Sequence, residues 1–391
     1  MKLCFVVPRY GVEVIGGAET GARMLGEHLV AERGWEVEVI TTCARDHQSW
    51  ENHYPPGDSL VNGVVLRRFP VLQGRVPEFD RLSRPLVEAP SRVTVEQSKE
   101  WVELQGPVCP EVVDAAVEST ADVVAFYPYL YHPTVTGVPR LAGRSVVHPA
   151  AHDEPLLRFP VFGEVFRNAG GIAFHTFAER DLVNRRFKTA ATPQVVAGLG
   201  IETGTSDPSG AKEVLGFDGV PYLCCIGRVE GTKGTTELVQ FFHRYRERHP
   251  DPLKLVLVGR VIETPPYHPD VTVTGTVAEP VKWGILGGAA GLVAPGRYES
   301  FSLAVLEAMS LGVPPIVNGR CAATAEHCTR SGVGWTYLGA GDFDRAVTGA
   351  LNLDPARARA AQDYVERHFR WQPVLERYCR FVHSMAERSA A

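Results

Sequence analysis

Two glutamates, Glu299 and Glu307, flank the start of a predicted helix in the segment GRYESFSLAVLEAMSLGVPP, residues 296–315. Ser300 or Ser302 is suited to cap this helix, and an acidic group near its first turn is favoured by the helix dipole. This explanation accounts for Glu299 alone. Glu307 lies on a helix that is otherwise almost wholly apolar, where a carboxylate is costly to bury without partners. The pattern therefore predicts that Glu307 faces a cleft.

A second set of polar residues, GRVEGTKG at 227–234, follows a buried apolar run. Gly227 lets the backbone approach a ligand closely, while Arg228 and Lys233 bring two cations to the carboxyl end of a predicted sheet. Open α/β folds bind their ligands at that edge. Taken alone, however, the motif favours solvated surface cations near a turn.

Taken together, the two segments have the chemistry of a site for a nucleotide-diphosphate sugar. Arg228 and Lys233 suit phosphate oxygens, and so do backbone amides at a helix start. A carboxylate accepts hydrogen bonds from vicinal hydroxyls, so we predict ribose at Glu307 and sugar hydroxyls at Glu299. The amides predicted to meet the phosphates belong to Phe301, Ser302 and Leu303.

The elements that must position these residues alternate between short apolar runs and amphipathic helices. Such alternation predicts an α/β fold with parallel, doubly wound sheets, and the rhythm restarts after a segment rich in Gly, Ser, Thr and Pro. The predicted organisation is a Rossmann-like domain over residues 1–197, a linker over 198–213, a second Rossmann-like domain over 214–367 and a helical C-terminal segment over 368–391.

The composition narrows the class of protein. At 391 residues the chain exceeds one ordinary core, and no stretch approaches the roughly 18–20 apolar residues that a membrane span needs. The formal net charge of -5 argues against a nucleic-acid partner. The eight cysteines form no C-x-x-C pair, which favours reduced thiols in a cytoplasm. The first residues, MKLCFVVPRY, favour a buried strand over a signal peptide.

Three segments together resemble the retaining glycosyltransferases of the GT-B fold, family 4. They are G-R-x4-K-G at 227–234, the E-x7-E pair within ESFSLAVLEAMSLGVP, and PRYGVEVIGGAE at 8–19. Their order and spacing match across nearly the whole chain. The resemblance implies two Rossmann-like domains that face each other across a cleft, the first binding the acceptor and the second binding the nucleotide sugar.

The resemblance also implies roles for residues of the first domain. Gly16 and Gly17 match a glycine loop whose amides reach the donor phosphates, and His132 matches a histidine near the reacting sugar. The C-terminal run HFRWQPVLERY, residues 368–378, resembles the segment that crosses back to the first domain.

In the second domain, Arg228 and Lys233 match the pair that neutralises the leaving diphosphate, Glu299 the sugar-contacting glutamate and Glu307 the ribose-contacting one. Three features depart from the family pattern and bear on the identity of the donor. Ser302 stands where a glycine is frequent, Gly296 replaces a common serine, and residues 318–327 lack the usual paired glycines.

The predicted function is transfer of a hexose or deoxyhexose from a nucleotide-diphosphate sugar to an acceptor hydroxyl, without a metal or another cofactor. The acceptor is a glycan, a lipid-linked sugar or a small molecule. The predicted location is the cytoplasm, with peripheral attachment to the inner membrane as an alternative if the acceptor is membrane-borne. The alternative functions are a GT-B-fold epimerase or hydrolase of nucleotide sugars, and an inert module that binds them.

Several polar residues remain outside these motifs. His152 and Asp153, in VHPAAHDEP, are predicted either to contact the acceptor or to be structural. Asp342-Phe343-Asp344 imitates the D-x-D metal site of another glycosyltransferase fold, but it precedes a helix and favours capping. The basic cluster that favours a solvated helix face, or contact with anionic lipid, consists of Arg180, Arg185, Arg186 and Lys188.

Overall fold

The structure, a computed structural model, describes residues 1–14 and 16–390. Ile15 of the predicted glycine loop and Ala391 of the predicted C-terminal segment lie outside the described residues. The chain divides into two compact units. Unit 1 comprises Met1–Gly200 and the chain from Trp371 onward, and unit 2 comprises Ile201–Arg370. The change of unit thus falls at Gly200 and Ile201.

Most of the strands coincide with the predicted apolar runs, but the strands at 57–61, 194–196 and 335–337 were not predicted. The strands of the described residues are β1 (Lys2–Val6), β2 (Glu36–Thr42), β3 (Gly57–Val61), β4 (Val64–Phe69), β5 (Val123–Phe126), β6 (Ser145–Val147), β7 (Gly171–Phe174), β8 (Gln194–Val196), β9 (Tyr222–Ile226), β10 (Lys254–Val258), β11 (Val271–Gly275), β12 (Gly291–Ala294), β13 (Pro315–Asn318) and β14 (Trp335–Tyr337).

Helices follow most of the strands. Over the described part of the chain they are α1 (Gly17–Arg33), α2 (Phe79–Glu88), α3 (Val95–Gln105), α4 (Pro110–Glu118), α5 (His132–Arg140), α6 (Pro160–Asn168), α7 (Phe177–Phe187), α8 (Pro208–Leu215), α9 (Thr235–Arg248), α10 (Glu279–Gly287), α11 (Leu303–Ser310), α12 (Ala322–Ser331), α13 (Ala340–Leu351), α14 (Pro355–Phe369) and α15 (Trp371–Ala390). The last six residues of the predicted linker, 208–213, belong to α8, and the Asp207 side chain caps this helix by accepting a hydrogen bond from the Gly210 N–H.

Unit 1 is built on one sheet with the strand order β3-β4-β2-β1-β5-β6-β7-β8. Its strands are parallel except for β3, which pairs antiparallel with β4. The β3–β4 turn uses Asn62 and Gly63, both with positive φ, as the Asn-Gly signal predicts for a two-residue hairpin. Apart from Lys2 at the start of β1, the central strands β1 and β5 are buried along their length, which explains their apolar sequence.

The last helix, α15, completes the core of unit 1. Its apolar face packs into the same cluster as β1 and α1, and the Trp371 ring stacks on His28 with 3.9 Å between centroids. The buried residues that α15 contributes to this cluster are Trp371, Val374, Leu375, Tyr378, Phe381, Val382 and Met385.

Unit 2 is built on a parallel sheet with the order β11-β10-β9-β12-β13-β14. The chain runs outward from β9 to β11 on one side of the sheet and then returns to start the other side at β12. The order of strands therefore reverses between β9 and β12, and crevices form at such switch points in doubly wound sheets. The predicted α/β class with two parallel-sheet domains is confirmed. No helix in the described ranges is long and apolar enough to cross a bilayer.

A buried polar network lies inside unit 1. The Tyr127 hydroxyl hydrogen-bonds His175 Nε2, and the Tyr378 hydroxyl of α15 lies 3.0 Å from His148 Nε2. Burial lowers the pKa of His175 to about 4 and the pKa of His148 to about 3. Both imidazoles are therefore neutral in the folded chain at neutral pH.

We expect the free energy of unfolding to fall as the pH is lowered below about 6.5, the pKa of an unfolded histidine. Below this pH, the histidines bind protons in the unfolded chain but stay neutral in the folded chain. The free energy of unfolding therefore falls by about 1.4 kcal/mol per pH unit for each buried histidine. Denaturant unfolding at pH 7, 6 and 5 measures the slope. His175→Gln, whose amide keeps a partner for Tyr127, should reduce it, and an unchanged slope would contradict this account.

Candidate active site

A pocket in unit 2 lies at the carboxyl ends of β9 and β12, where the strand order reverses. Loops that leave neighbouring parallel strands diverge at such a point and open a crevice. The residues predicted to bind a ligand that line this pocket are Gly227, Arg228, Lys233, Glu299 and Ser302. Two segments that lie far apart in the sequence thus contribute to one site.

Gly227 and Arg228 directly follow β9. Gly227 has φ 144, which favours glycine, and its N–H donates to the Val258 carbonyl at 2.9 Å. The Arg228 guanidinium Nη2 lies 3.1 Å from the Oε1 of Glu230, which is buried. This contact is an ion pair without hydrogen-bond alignment, since Glu230 Oε1 accepts no hydrogen bond from the described residues. Arg228 is half exposed, so its head remains accessible from the pocket.

Lys233 and Glu299 make the most direct contact in the pocket. Lys233 ends a short turn and Glu299 lies in the loop after β12, and the Lys233 Nζ donates to Glu299 Oε1 at 2.7 Å. Gly234 has φ 82, and a Cβ there would lie 2.7 Å from the Pro295 carbonyl oxygen. The two loops therefore pack backbone against backbone, which brings the lysine and the glutamate together.

The start of α11 forms another wall of the pocket. Ser302 is its N-cap residue with φ 71, and its side chain forms no capping hydrogen bond, so the predicted serine cap at this position is wrong. The left-handed φ takes Ser302 out of the extended conformation from which a capping side chain reaches the first turn. The same φ explains why a glycine is frequent here in the family that the sequence resembles. Helix α11 begins at Leu303 without a side-chain cap.

Phe301 has a structural role that the sequence did not predict. Its ring is buried against His327 and Phe369, and its carbonyl accepts a hydrogen bond from His327 Nε2 at 3.0 Å. Nδ1 of the same imidazole lies 3.2 Å from the Tyr364 hydroxyl, and burial lowers the pKa of His327 to about 4. A neutral histidine from α12 thus anchors the start of α11. No local pattern in residues 318–327, which lack the usual paired glycines, indicates this histidine.

Glu307 lies one turn beyond Ala304, which lines the pocket, but Glu307 itself does not line it. Its two carboxylate oxygens each accept a hydrogen bond from Lys282 Nζ of α10 at 3.3 Å. Burial raises the pKa of Glu307, and the charge of Lys282 opposes this effect. The sequence did not predict Lys282, because its spacing from Glu279 is typical of an exposed pair on one helix face.

In unit 1, Gly16 is the N-cap residue of α1 and Gly17 is the first residue of that helix. The Glu19 carboxylate folds back towards Gly16 and forms a buried ion pair with Arg9, so a Cβ on Gly16 would collide with it. A Cβ on Gly17 would meet nothing within 4 Å. Gly16 is therefore required by local packing, and the predicted contact of these amides with donor phosphates stays a prediction.

The predicted histidine and acceptor residues also belong to unit 1. His132 is the first residue of α5, and burial lowers its pKa. His152 Nδ1 lies 3.4 Å from Glu154 Oε1, whereas the mostly exposed Asp153 lies 3.5 Å from Arg158. Asp153 thus faces solvent, and contact of His152 or Asp153 with an acceptor stays a prediction.

Asp342 lies in the first turn of α13 and Asp344 follows it inside the helix, whose N-cap residue is Gly339, so the prediction that these residues precede the helix and cap it is wrong. Asp342 accepts a hydrogen bond from the Leu338 N–H at 3.1 Å, and Asp344 pairs with Arg248 at 2.9 Å. Within the described residues, no group of three or more His, Cys, Asp or Glu side chains could hold a metal ion.

Residues 220–352 match the family described as Glycosyl transferases group 1. Among solved structures, sucrose-phosphate synthase from Thermosynechococcus elongatus is 17% identical, with 98% of each chain covered and a TM-score of 0.69. Anabaena HepE, in complex with UDP and glucose, is 16% identical, with a TM-score of 0.67 over 98% of this chain and 100% of that one. Comparison with curated proteins gave no match.

An Escherichia coli trehalose-6-phosphate structure bound with UDP-2-fluoro glucose is 10% identical, with 99% of each chain covered and a TM-score of 0.70. At such identities these likenesses concern the fold. The family match covers the segment that carries the pocket, residues 220–352. The solved structures confirm the predicted GT-B fold, and the family match over residues 220–352 bears out the predicted glycosyltransferase. Membership of family 4 stays a prediction.

We expect Lys282→Met to lower the free energy of unfolding at pH 7 by about 1–3 kcal/mol, because Glu307 then lacks its charged partner in a largely buried position. Urea unfolding of the single variant, of Glu307→Gln and of the double variant measures the coupling between the two side chains. The double variant should recover part of the loss. Additive losses would contradict a direct interaction.

Proposed function

Because residues 220–352 match the group 1 glycosyl transferases in a chain of GT-B fold, we propose that this protein is a retaining, metal-independent glycosyltransferase of family 4. It moves a sugar from a nucleotide-diphosphate sugar to an acceptor hydroxyl. The observation that carries the proposal is the contact of Lys233 with Glu299 inside the pocket that Arg228 also lines. One pocket thereby offers cations for a diphosphate and a carboxylate for sugar hydroxyls.

The diphosphate binds between Arg228, Lys233 and the uncapped start of α11. Each of the two cations already has a carboxylate beside it, Glu230 for Arg228 and Glu299 for Lys233. Both cations are partly exposed, so phosphate oxygens can join these contacts. The first amides of α11 add a partial positive charge at the same place.

The donor sugar binds at Glu299 and the ribose at Glu307. Glu299 accepts hydrogen bonds from sugar hydroxyls while it keeps Lys233 at the diphosphate. Glu307 accepts from the ribose diol, and the charge of Lys282 opposes the burial that raises the pKa of Glu307. Two solved proteins of this fold hold UDP or a UDP sugar, so a UDP sugar is the first donor to test.

In the transfer step, the bond between the anomeric carbon and the donor phosphate oxygen breaks as the acceptor oxygen bonds to that carbon from the same face. The acceptor proton passes to an oxygen of the departing diphosphate. Configuration at the anomeric carbon is therefore retained. Arg228 and Lys233 oppose the negative charge that grows on the diphosphate, and a preorganised contact of this kind is worth about 3–4 kcal/mol.

We propose that the protein acts in the cytoplasm, or at the cytoplasmic side of the inner membrane if its acceptor is lipid-linked. The eight cysteines support a reducing compartment, since each is a free thiol and all except Cys379 are buried. The proposed compartment is independent of the chemistry proposed for the pocket.

We expect Lys233→Met to lower turnover of a UDP sugar by about 100-fold or more, because growing diphosphate charge loses a cation. UDP released in the presence of an acceptor panel measures the rate. The matched control is Lys212→Met, which removes an exposed lysine paired with Asp218 in the same unit. Unchanged turnover in Lys233→Met would contradict the assigned role.

Configuration and metal dependence form a separate prediction. Proton NMR of the first product should show the anomeric configuration of the donor, and EDTA should leave the rate unchanged. An inverted product, or a rate that EDTA abolishes and Mg²⁺ restores, would overturn the corresponding part of the proposal. Incubation with donor alone distinguishes the hydrolase or epimerase alternative, which consumes the donor rapidly without any acceptor. An inert module binds UDP tightly and turns over with no member of the panel.

A further inference from the structure

Several buried side-chain nitrogens of unit 1 have no hydrogen-bond partner among the described residues, and three of them belong to segments linked by mutual contacts. These three are Arg75 Nε, Gln105 Nε2 and His132 Nδ1. Most buried polar atoms in folded proteins are paired, and each unpaired one costs about 1–3 kcal/mol. Such a set requires an explanation, and a polar ligand that supplies the missing partners is a direct one.

The first two of these residues belong to neighbouring segments. The chain around Arg75 runs beside the end of α3, where the Val76 N–H donates to the Leu104 carbonyl at 3.0 Å. Trp50 joins the two segments, because its Nε1 donates to the Gln105 carbonyl at 2.9 Å while the Arg75 N–H donates to the carbonyl of Ser49. Arg75 and Gln105 therefore surround one buried tryptophan.

His132 is connected to the same tryptophan through its neighbour in the chain. The Tyr131 ring contacts Trp50 edge-on with 5.1 Å between centroids. Burial and the charge of Glu19 raise the pKa of Tyr131, and the charges of Arg9 and Arg75 oppose this rise, so Arg75 lies within electrostatic reach of the tyrosine.

These segments occupy the edge of the sheet where ligands bind in open α/β folds. Trp50 follows β2, Arg75 follows β4 and His132 follows β5, and all three strands run in parallel within one sheet. The cluster belongs to unit 1, whereas the residues that line the donor pocket belong to unit 2.

The charge of Arg75 is not neutralised within the described parts of unit 1. Its guanidinium packs over the Phe79 ring at 4.8 Å and makes no ion pair there. Arg9, by contrast, is paired with Glu19 and also donates to the Arg45 carbonyl at 3.0 Å. A half-buried guanidinium that an aromatic ring holds in place is suited to bidentate binding of a carboxylate or phosphate.

We propose that Arg75, Gln105 and His132 form an acceptor subsite, and that the acceptor carries an anionic group, phosphate or carboxylate, which Arg75 binds. The inference rests on the proposed transferase function and specifies the class of its second substrate. Gln105 is only 3% exposed, and its Nε2 donates to an acceptor oxygen. The neutral His132 imidazole hydrogen-bonds an acceptor hydroxyl through Nδ1.

The test uses the full chain saturated with UDP, so that the anion site at Arg228 and Lys233 is occupied. Calorimetric titrations with glucose 6-phosphate, glucuronate and glucose compare a phosphate, a carboxylate and a neutral sugar of similar size. We expect at least one of the two anions to bind ten-fold or more tightly than glucose. The stronger of the two identifies the anionic group.

Arg75→Met should weaken binding of that anion ten-fold or more, which corresponds to about 1.4 kcal/mol, and should leave the affinities for glucose and UDP unchanged. Arg84→Met removes an exposed arginine of α2 in the same region and is the matched control. Arg75→Lys keeps the charge without the planar fork and should lie between wild type and Arg75→Met. It also serves as the readout if Arg75→Met fails to fold. Gln105→Leu should weaken both glucose and its phosphate without changing the preference between them.

The outcomes separate the two proposals. If wild type binds UDP but shows no preference for either anion over glucose, or if the Arg75 variants match wild type, the acceptor subsite is overturned and the donor site stands. If wild type binds no UDP, or UDP binding and turnover do not depend on Lys233, the proposed function itself fails.

Discussion

The ion pair between Lys233 and Glu299 is the contact on which the site in unit 2 depends. It joins the turn after β9 to the loop after β12, and the approach of Gly234 to the Pro295 carbonyl sets the distance between them. The start of α11 comes next to Arg228 only because these loops meet. The pair is half-buried, which strengthens the attraction relative to a surface pair and still leaves both groups open to a ligand.

Carboxylates accompany the cations of the candidate donor site throughout. Glu230 lies beside Arg228, Glu299 beside Lys233 and Glu307 beside Lys282. Internal pairing keeps a concentrated group of charges from destabilising the folded chain before a ligand is bound. A ligand must then offer both negative oxygens and hydroxyl donors to satisfy the cation and the carboxylate of each pair, and a nucleotide-diphosphate sugar offers both.

Most of the fold was predictable because its signals are local. Buried parallel strands are continuous apolar runs, and the Asn62-Gly63 turn has few other conformations open to it. The residues that line the donor pocket were predictable because the motif after β9 and the glutamate after β12 lie at strand ends, which a doubly wound sheet brings together. The start of α8 was missed, since a segment rich in Gly, Ser and Pro resembles a linker.

The partners of the site residues were much less predictable. Lys282 reaches Glu307 from another helix, and His327 reaches Phe301 across 26 residues, so neither contact leaves a periodic or adjacent signal. The left-handed Ser302 depends on how the preceding loop meets α11. The unpaired nitrogens of Arg75, Gln105 and His132 leave no signal in the sequence, because they are recognised only from the hydrogen bonds of the folded chain.

The return of α15 to unit 1 has a consequence for the order in which the chain matures. Unit 2 is a single continuous stretch, Ile201–Arg370, whereas the core of unit 1 includes side chains from Trp371 to Met385. During synthesis from the N-terminus, most of unit 1 leaves the ribosome first, but its apolar core stays incomplete until α15 has been made. Unit 2 is translated later, and all of its residues have been made before α15 emerges.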